Sequence, residues 1–179
     1  MVKFWDTSSL VPLCVHAPGS ATVKTILVKD PSIVVWWATR TECLSALMRQ
    51  VREGGLSVGG ERQAREVLGT LAHAWIEVQP SATLRGTAER LLAVHPLRAA
   101  DACQLAAALQ WCHRQTADMC LVSFDVRLRE AAYKEGFTLL PPELHFYSWA
   151  SLTPLSFTEK TAIEPRSGAA GLLGRTLAG

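Results

Sequence analysis

At 179 residues, with 49% apolar and 19% charged side chains, the chain is long enough to bury one core, too short for two full domains and too apolar to be largely disordered. Its formal charge of +2 defines no nucleic-acid or membrane partner, because that inference needs clustered charge rather than a total. The cations are 13 Arg against 5 Lys, a weak lean toward phosphate recognition by planar guanidinium groups that host base composition would equally produce.

Val2 to Trp5 suits a short buried strand, and the run Asp6-Thr7-Ser8-Ser9 behind it is how a helix often begins. Leu10 to His16 reads as a short helix, Ala17-Pro18-Gly19-Ser20 as a break, and Ala21 to Lys29 as a second helix. Asp30-Pro31-Ser32 makes a turn into the β-branched and aromatic strand Ile33 to Trp37. Helices follow from Ala38 to Glu53, closed by Gly54-Gly55, and from Ser57 to Ala72. Trp75 to Gln79 is a strand, and Pro80 starts a helix to Val94 that His95-Pro96 ends. Ala99 to Gln115 is the most Ala- and Leu-rich helix. Met119 to Ser123 is a strand, Val126 to Glu135 a helix, and Phe137 to Leu140 a fifth strand closed by Pro141-Pro142.

This alternation predicts an α/β fold, a three-layer α/β/α sandwich around a mostly parallel sheet of about five strands. Residues 1–148 form the expected domain. From His145 the pattern dissolves, and residues 149–179 are expected to be an extension, packed a little through Trp149, Leu152 and Leu155 and flexible over its last stretch. The five cysteines lack any CxxC pair and fall in apolar runs, so they read as small buried hydrophobes of a reducing compartment. With the histidines scattered singly, no structural zinc is expected. No window approaches the roughly 18 apolar residues of a membrane span, and the opening residues do not form a signal peptide; a soluble, cytoplasmic protein is the expectation.

Four acids recur at equivalent places. Asp6 ends the first strand, at the sheet edge where open α/β folds bind ligands, although taken alone a plain helix cap is the more ordinary use for it. On the helix from Ala99, Leu105, Ala108 and Cys112 fall within about 40° of Asp101, so this acid faces inward with the apolar side. A capping box with Gln104 is its structural alternative. Glu42 falls almost opposite the apolar face of its helix, and periodicity alone makes it solvated. Its flanking Ala38 and Ala46 and its place in the first turns after a strand associate it with the same edge. Asp125 follows the fourth strand and is either a cap or a member of the same group. Asp118 and Asp30 read as surface residues. Four carboxylates in one cleft repel, a divalent cation resolves the repulsion, and oxygen-only donors including the Thr7, Ser8 and Ser123 hydroxyls select Mg²⁺ or Mn²⁺ over zinc.

Taken together, Asp6-Thr7-Ser8, Glu42, Leu97-Arg98-Ala99-Ala100-Asp101-Ala102 and Leu121-Val122-Ser123-Phe124-Asp125-Val126-Arg127-Leu128 resemble, in order and spacing, the motifs of PIN-domain ribonucleases, in particular VapC-type toxins of toxin–antitoxin pairs. The resemblance covers about residues 1–140; the length of the chain and the stretch beyond Trp149 depart from it. It implies a metal-dependent endoribonuclease in which Asp6, Glu42, Asp101 and Asp125 hold one or two Mg²⁺ or Mn²⁺ ions. Ser123 and Thr7 or Ser8 then support the site, and cleavage leaves a 5′-phosphate and a 3′-hydroxyl. Arg98 and Arg127 are candidate contacts to the RNA backbone, with an ordinary solvated surface role the alternative for each, and the resemblance further implies a homodimer and a small antitoxin whose C-terminal segment enters the acidic site. A haloacid-dehalogenase-like phosphatase needs a second acid two residues after Asp6, where Ser8 stands, and a receiver domain needs paired acids after the first strand. The rival from another class is a non-catalytic PIN-like RNA-binding or scaffolding module whose acids serve only as caps.

Overall fold

The computed structural model describes residues 3–143 and 153–154. Along the chain run β1 (Lys3–Trp5), α1 (Thr7–Cys14), β2 (Val15–His16), α2 (Ser20–Lys29), β3 (Val34–Trp36), α3 (Thr39–Arg52), α4 (Val58–Ala74) and β4 (Ile76–Val78). There follow α5 (Ala82–Val94), α6 (Ala99–Trp111), β5 (Cys120–Val122), α7 (Val126–Lys134), β6 (Thr138–Leu140) and β7 (Thr153–Pro154). Five strands form one sheet in the order β4-β3-β1-β5-β6, every neighbouring pair parallel. The expected α/β/α sandwich is the fold.

Strand alternation builds the two cores. Phe4 lies beside Val34 and Leu121 in register, and all three face a layer formed by α5, α6 and α7 through Leu84, Leu91, Leu105, Leu109 and Leu128. Trp5, Val35 and Val122 face the other way, onto Leu10, Leu13, Leu47, Leu68 and Leu71 of α1, α3 and α4. Burying both faces explains why these strands read as continuous apolar runs rather than alternating ones. In α6 the run Ala106-Ala107-Ala108 is wholly buried, because that helix packs on α5, α7 and β3 at once and leaves no room for larger side chains. Cys14, Cys43, Cys112 and Cys120 are buried and Cys103 half-buried, all as free thiols, matching their reading as small hydrophobes. Among the described residues no helix is long and apolar enough to cross a membrane.

Three boundaries differ from expectation, each for a reason the structure shows. α1 begins at Thr7 rather than Leu10. The Asp6 side chain caps it by accepting the Ser8 N–H, and the hydroxyls that usually compete with helix formation find partners across the fold instead. The same helix stops at Cys14, since Val15 and His16 pair antiparallel with Pro154 and Thr153, a strand pairing that no pattern after His145 announced. The other expectations for residues 149–179 lie outside the described residues. α6 closes at Trp111, four residues early, because His113 and Arg114 adopt left-handed φ of 49° and 64° and the Arg114 N–H returns to the Leu109 carbonyl at 2.9 Å. This is the geometry that glycine usually supplies, and no glycine stands there to signal it.

Asp30, expected at the plain surface, is the partner of the nearly buried Lys3 ammonium at 2.6 Å. Partial burial pushes its carboxyl up, but the hydrogen bond from Lys3 and those from Ser32 outweigh that and hold it down at about 2. A depressed acid contributes stability above its unfolded value, and that contribution is lost as pH falls toward the folded value. Asp30→Asn is therefore expected to lower stability at neutral pH and to flatten the pH dependence of denaturant unfolding below about pH 4; an unchanged acid limb would refute the pairing.

Candidate active site

The sheet order reverses direction at β1: the chain moves from β1 to β3 and β4 on one side and returns to β5 and β6 on the other. Such a reversal opens a crevice at the C-terminal strand ends, where two diverging connections leave space between them. Here that crevice lies between the turns after β1 and β5. The Asp6 N–H reaches the Val122 carbonyl at 3.0 Å, and the Ser9 hydroxyl bonds the carbonyls of Asp6 and Val122, so the two turns are fixed to each other.

Asp6 is the most buried of the four acids, at 5% exposure. Its Oδ2 accepts from the Ser8 N–H at 3.1 Å, the Ser8 hydroxyl at 2.5 Å and the Ser123 hydroxyl at 3.0 Å. Each hydroxyl oxygen in turn accepts a backbone N–H of the turn after β5, Phe124 to Ser8 across the two turns at 2.8 Å and Asp125 to Ser123 within its own turn at 3.0 Å. Ser8 and Ser123 are thus relays that set the position of one carboxylate oxygen. Burial is the main effect on the carboxyl and raises it to about 6, the three hydrogen bonds pull it back, and the Glu42 carboxylate adds a further push upward.

Glu42 is half-buried rather than solvated. Periodicity misplaced it because the face opposite the apolar stripe of α3 is covered by the neighbouring β1–α1 turn, which a helical wheel does not contain. Its Oε2 accepts from the Thr7 hydroxyl and from Gln104 Nε2, both at 2.6 Å. Gln104, at 1% exposure, also donates to Thr7 at 3.1 Å and to the buried Thr39 hydroxyl at 3.2 Å, while its own Oε1 has no partner among the described residues. It does not complete a capping box with Asp101; the sequence reading missed its actual role. The available signal was its type: an amide on the inward face of an otherwise Ala- and Leu-rich helix needs polar partners.

Asp101 is half-buried and accepts the Arg98 N–H at 3.3 Å through Oδ2, closing the first turn of α6. Burial raises its carboxyl, the Asp125 carboxylate adds to that rise, and the Arg98 N–H together with the Arg127 and Arg98 cations opposes it. Asp125 caps α7, its Oδ1 accepting the Leu128 N–H at 2.8 Å. Behind this turn the buried Arg129 guanidinium donates to the carbonyls of Ser123, Leu140 and Pro141 at 2.8–3.2 Å and so pins the ends of β5 and β6.

Asp6, Thr7, Ser8, Glu42, Asp101, Asp125 and Arg127 all line one cleft of about 550 Å³, with Arg49 on its wall; Ser123 supports it from beneath, and Arg98 is exposed beside it. All four acids follow one rule. One oxygen of each takes every protein hydrogen bond, and the other (Asp6 Oδ1, Glu42 Oε1, Asp101 Oδ1, Asp125 Oδ2) takes none among the described residues. The Glu42 carboxylate acts on Asp6 and the Asp125 carboxylate on Asp101. As the side chains stand, no group of three or more His, Cys, Asp and Glu among the described residues is placed to hold a metal ion. The fold and the cleft define a three-layer α/β/α protein with an acidic crevice at its topological switch point. No family model matches the chain, and no curated protein matches it.

Proposed function

We propose that this chain is a metal-dependent endoribonuclease of the PIN type, hydrolysing RNA phosphodiester bonds in the cytoplasm. The observation that carries the reading is the division of labour within the four cleft carboxylates, one oxygen anchored by protein donors and one left for a cation. Asp6, Glu42, Asp101 and Asp125 fit hard divalent ions by donor chemistry, being oxygen donors with surplus negative charge, and would hold Mg²⁺ or Mn²⁺. Bound there, such an ion lowers the pKa of a water and stabilises charge gathering on the phosphate. The chain's own part is positional. Ser8 and Ser123 hold Asp6, while Thr7 and Gln104 hold Glu42. Helix capping, which Asp6 and Asp125 perform, is compatible with ligation because it occupies a single oxygen of each.

Caps alone would serve the rival reading, a non-catalytic RNA-binding or scaffolding module. Activity separates the two. Purified protein is expected to cleave RNA with Mg²⁺ or Mn²⁺, to stop in EDTA, and to lose cleavage in Asp6→Asn and Asp101→Asn. Cleavage that survives EDTA or either substitution refutes the metal mechanism. A role as the toxin of a toxin–antitoxin pair, with a small antitoxin as partner and a homodimer as the assembly, rests on the resemblance alone. Expression in a bacterium with and without the adjacent small reading frame tests it, and harmless overexpression of active enzyme counts against it.

A further inference from the structure

Away from the cleft, Arg90, His95 and Glu135 form a cluster that the proposed chemistry leaves unused. The His95 and Glu135 side chains are 7% and 16% exposed. His95 Nε2 donates to Glu135 Oε1 at 2.9 Å, and Arg90 grips both carboxylate oxygens, at 3.2 and 2.8 Å. A carboxylate only accepts, so a ring proton sits on Nε2. Nδ1 is fully buried and has no partner among the described residues. Sealed on that side, the ring has no route to a reacting atom and acts by where it holds the chain. The Arg90 hydrogen bond keeps the Glu135 carboxyl below its ordinary value; burial pushes it up, and the His95 hydrogen bond adds to the lowering. The charge that both donors need is thereby kept.

His95 ends α5 and Glu135 ends α7, and the segments they anchor both lead to cleft acids. From His95 the chain turns, the Leu97 N–H returning to the His95 carbonyl at 2.8 Å, and then reaches Asp101 in the first turn of α6. From Glu135 the nine residues of α7 lead back to Asp125. Two segments tied at one end therefore present Asp101 and Asp125 at the other, where like charges push them apart. Leu128, Ala131 and Ala132 hold α7 to the core through apolar contacts, which carry no direction. Its polar side-chain ties to other elements, among the described residues, are Arg129 near its middle and Glu135 at its end. A rod pinned near its middle can pivot, and a second tie at its end stops it. We propose that Arg90, His95 and Glu135 are positioning residues that set the spacing of Asp101 and Asp125, and so the affinity of that pair for a divalent cation. The proposal rests on the metal-dependent reading and adds to it a control point outside the cleft that no motif marks.

The test is Mn²⁺ binding to the full chain without RNA, read from the electron paramagnetic resonance of the free ion. His95→Leu is expected to weaken binding about tenfold, the low end for groups that orient metal ligands. His95→Gln, whose amide can donate to Glu135 in place of the imidazole, should stay within about twofold of wild type. Arg90→Gln, at the exposed end of the cluster, should weaken binding about threefold and serves where His95→Leu does not fold. Asp30→Asn, which loses the Lys3 pair, controls for stability lost elsewhere and should keep the wild-type affinity. A double-mutant cycle then separates positioning from general loosening: in an Asp125→Asn background, His95→Leu should add little further loss. Equal losses in both backgrounds, or full affinity in His95→Leu and Arg90→Gln, would overturn the proposal and leave the ribonuclease reading standing. A wild-type chain that binds no Mn²⁺ overturns that reading, and the positioning role with it.

Discussion

Asp6→Asn is expected to abolish RNA cleavage and, in the same protein, to stabilise the ion-free chain at pH 8. The first effect follows from the proposed ligand role: several kcal/mol of transition-state stabilisation accompany a catalytic ion, which at tenfold per 1.36 kcal/mol is about a thousandfold or more in rate. The second follows from burial. The Asp6 carboxyl is raised from an ordinary 3.8 to about 6, so the folded chain binds this proton more tightly than the unfolded chain does. Stability is then full below the unfolded value and is lost as pH rises through the folded value. A shift of about two units corresponds to roughly 3 kcal/mol of strain above pH 6, and the amide removes it. Because all three protein hydrogen bonds end on Oδ2, the asparagine oxygen can take over that position. Urea unfolding in EDTA at pH 4 and pH 8 is the measurement: gain at pH 8 and none at pH 4 is expected. A loss of stability at both would show that Asp6 serves the fold rather than the chemistry.

Gln104→Leu is expected to lower cleavage by about 10- to 100-fold, the range typical of residues that orient a ligand. It removes the amide that holds Glu42 and Thr7 while keeping the volume, and it leaves the wholly buried Thr39 hydroxyl without its donor. That orphan costs about 1–3 kcal/mol of stability. The two losses are separable. Gln104→Leu combined with Thr39→Val removes the orphan and should recover stability without recovering rate. Recovery of both would reduce Gln104 to a packing residue, whereas a raised ion requirement in the single variant would support its action through Glu42.

The sheet and its two cores were readable because the information is local. A run of β-branched and aromatic residues such as Ile33-Val34-Val35-Trp36 needs no partner to be recognised, and the alternation of such runs with amphipathic helices allows few arrangements of layers. Misreadings came where a distant segment decides the outcome. Val15 and His16 leave the helix for a partner at residues 153–154, and Asp30 is drawn from the surface by Lys3. The end of α6 is a local exception: His113 and Arg114 take left-handed backbone where no glycine marks the stop, and the Arg114 N–H returns to Leu109.

Asp6 and Asp125 were legible as strand-end acids, and Asp101 as an inward-facing one. Their assembly in one cleft with Glu42 follows from chain crossings: only when β5 lies beside β1 does Asp125 approach the turn that carries Asp6. The sequence by itself determined which groups can do chemistry, since residue type sets charge, donor capacity and the preference for strand ends and helix starts. The tertiary structure alone decided that Glu42 faces inward, that Gln104 rather than a cap partner holds it, and that each carboxylate keeps one oxygen clear of donors among the described residues. A side chain's burial and its hydrogen-bond partners are properties of the space between elements, and that space is created only when the sheet order reverses at β1.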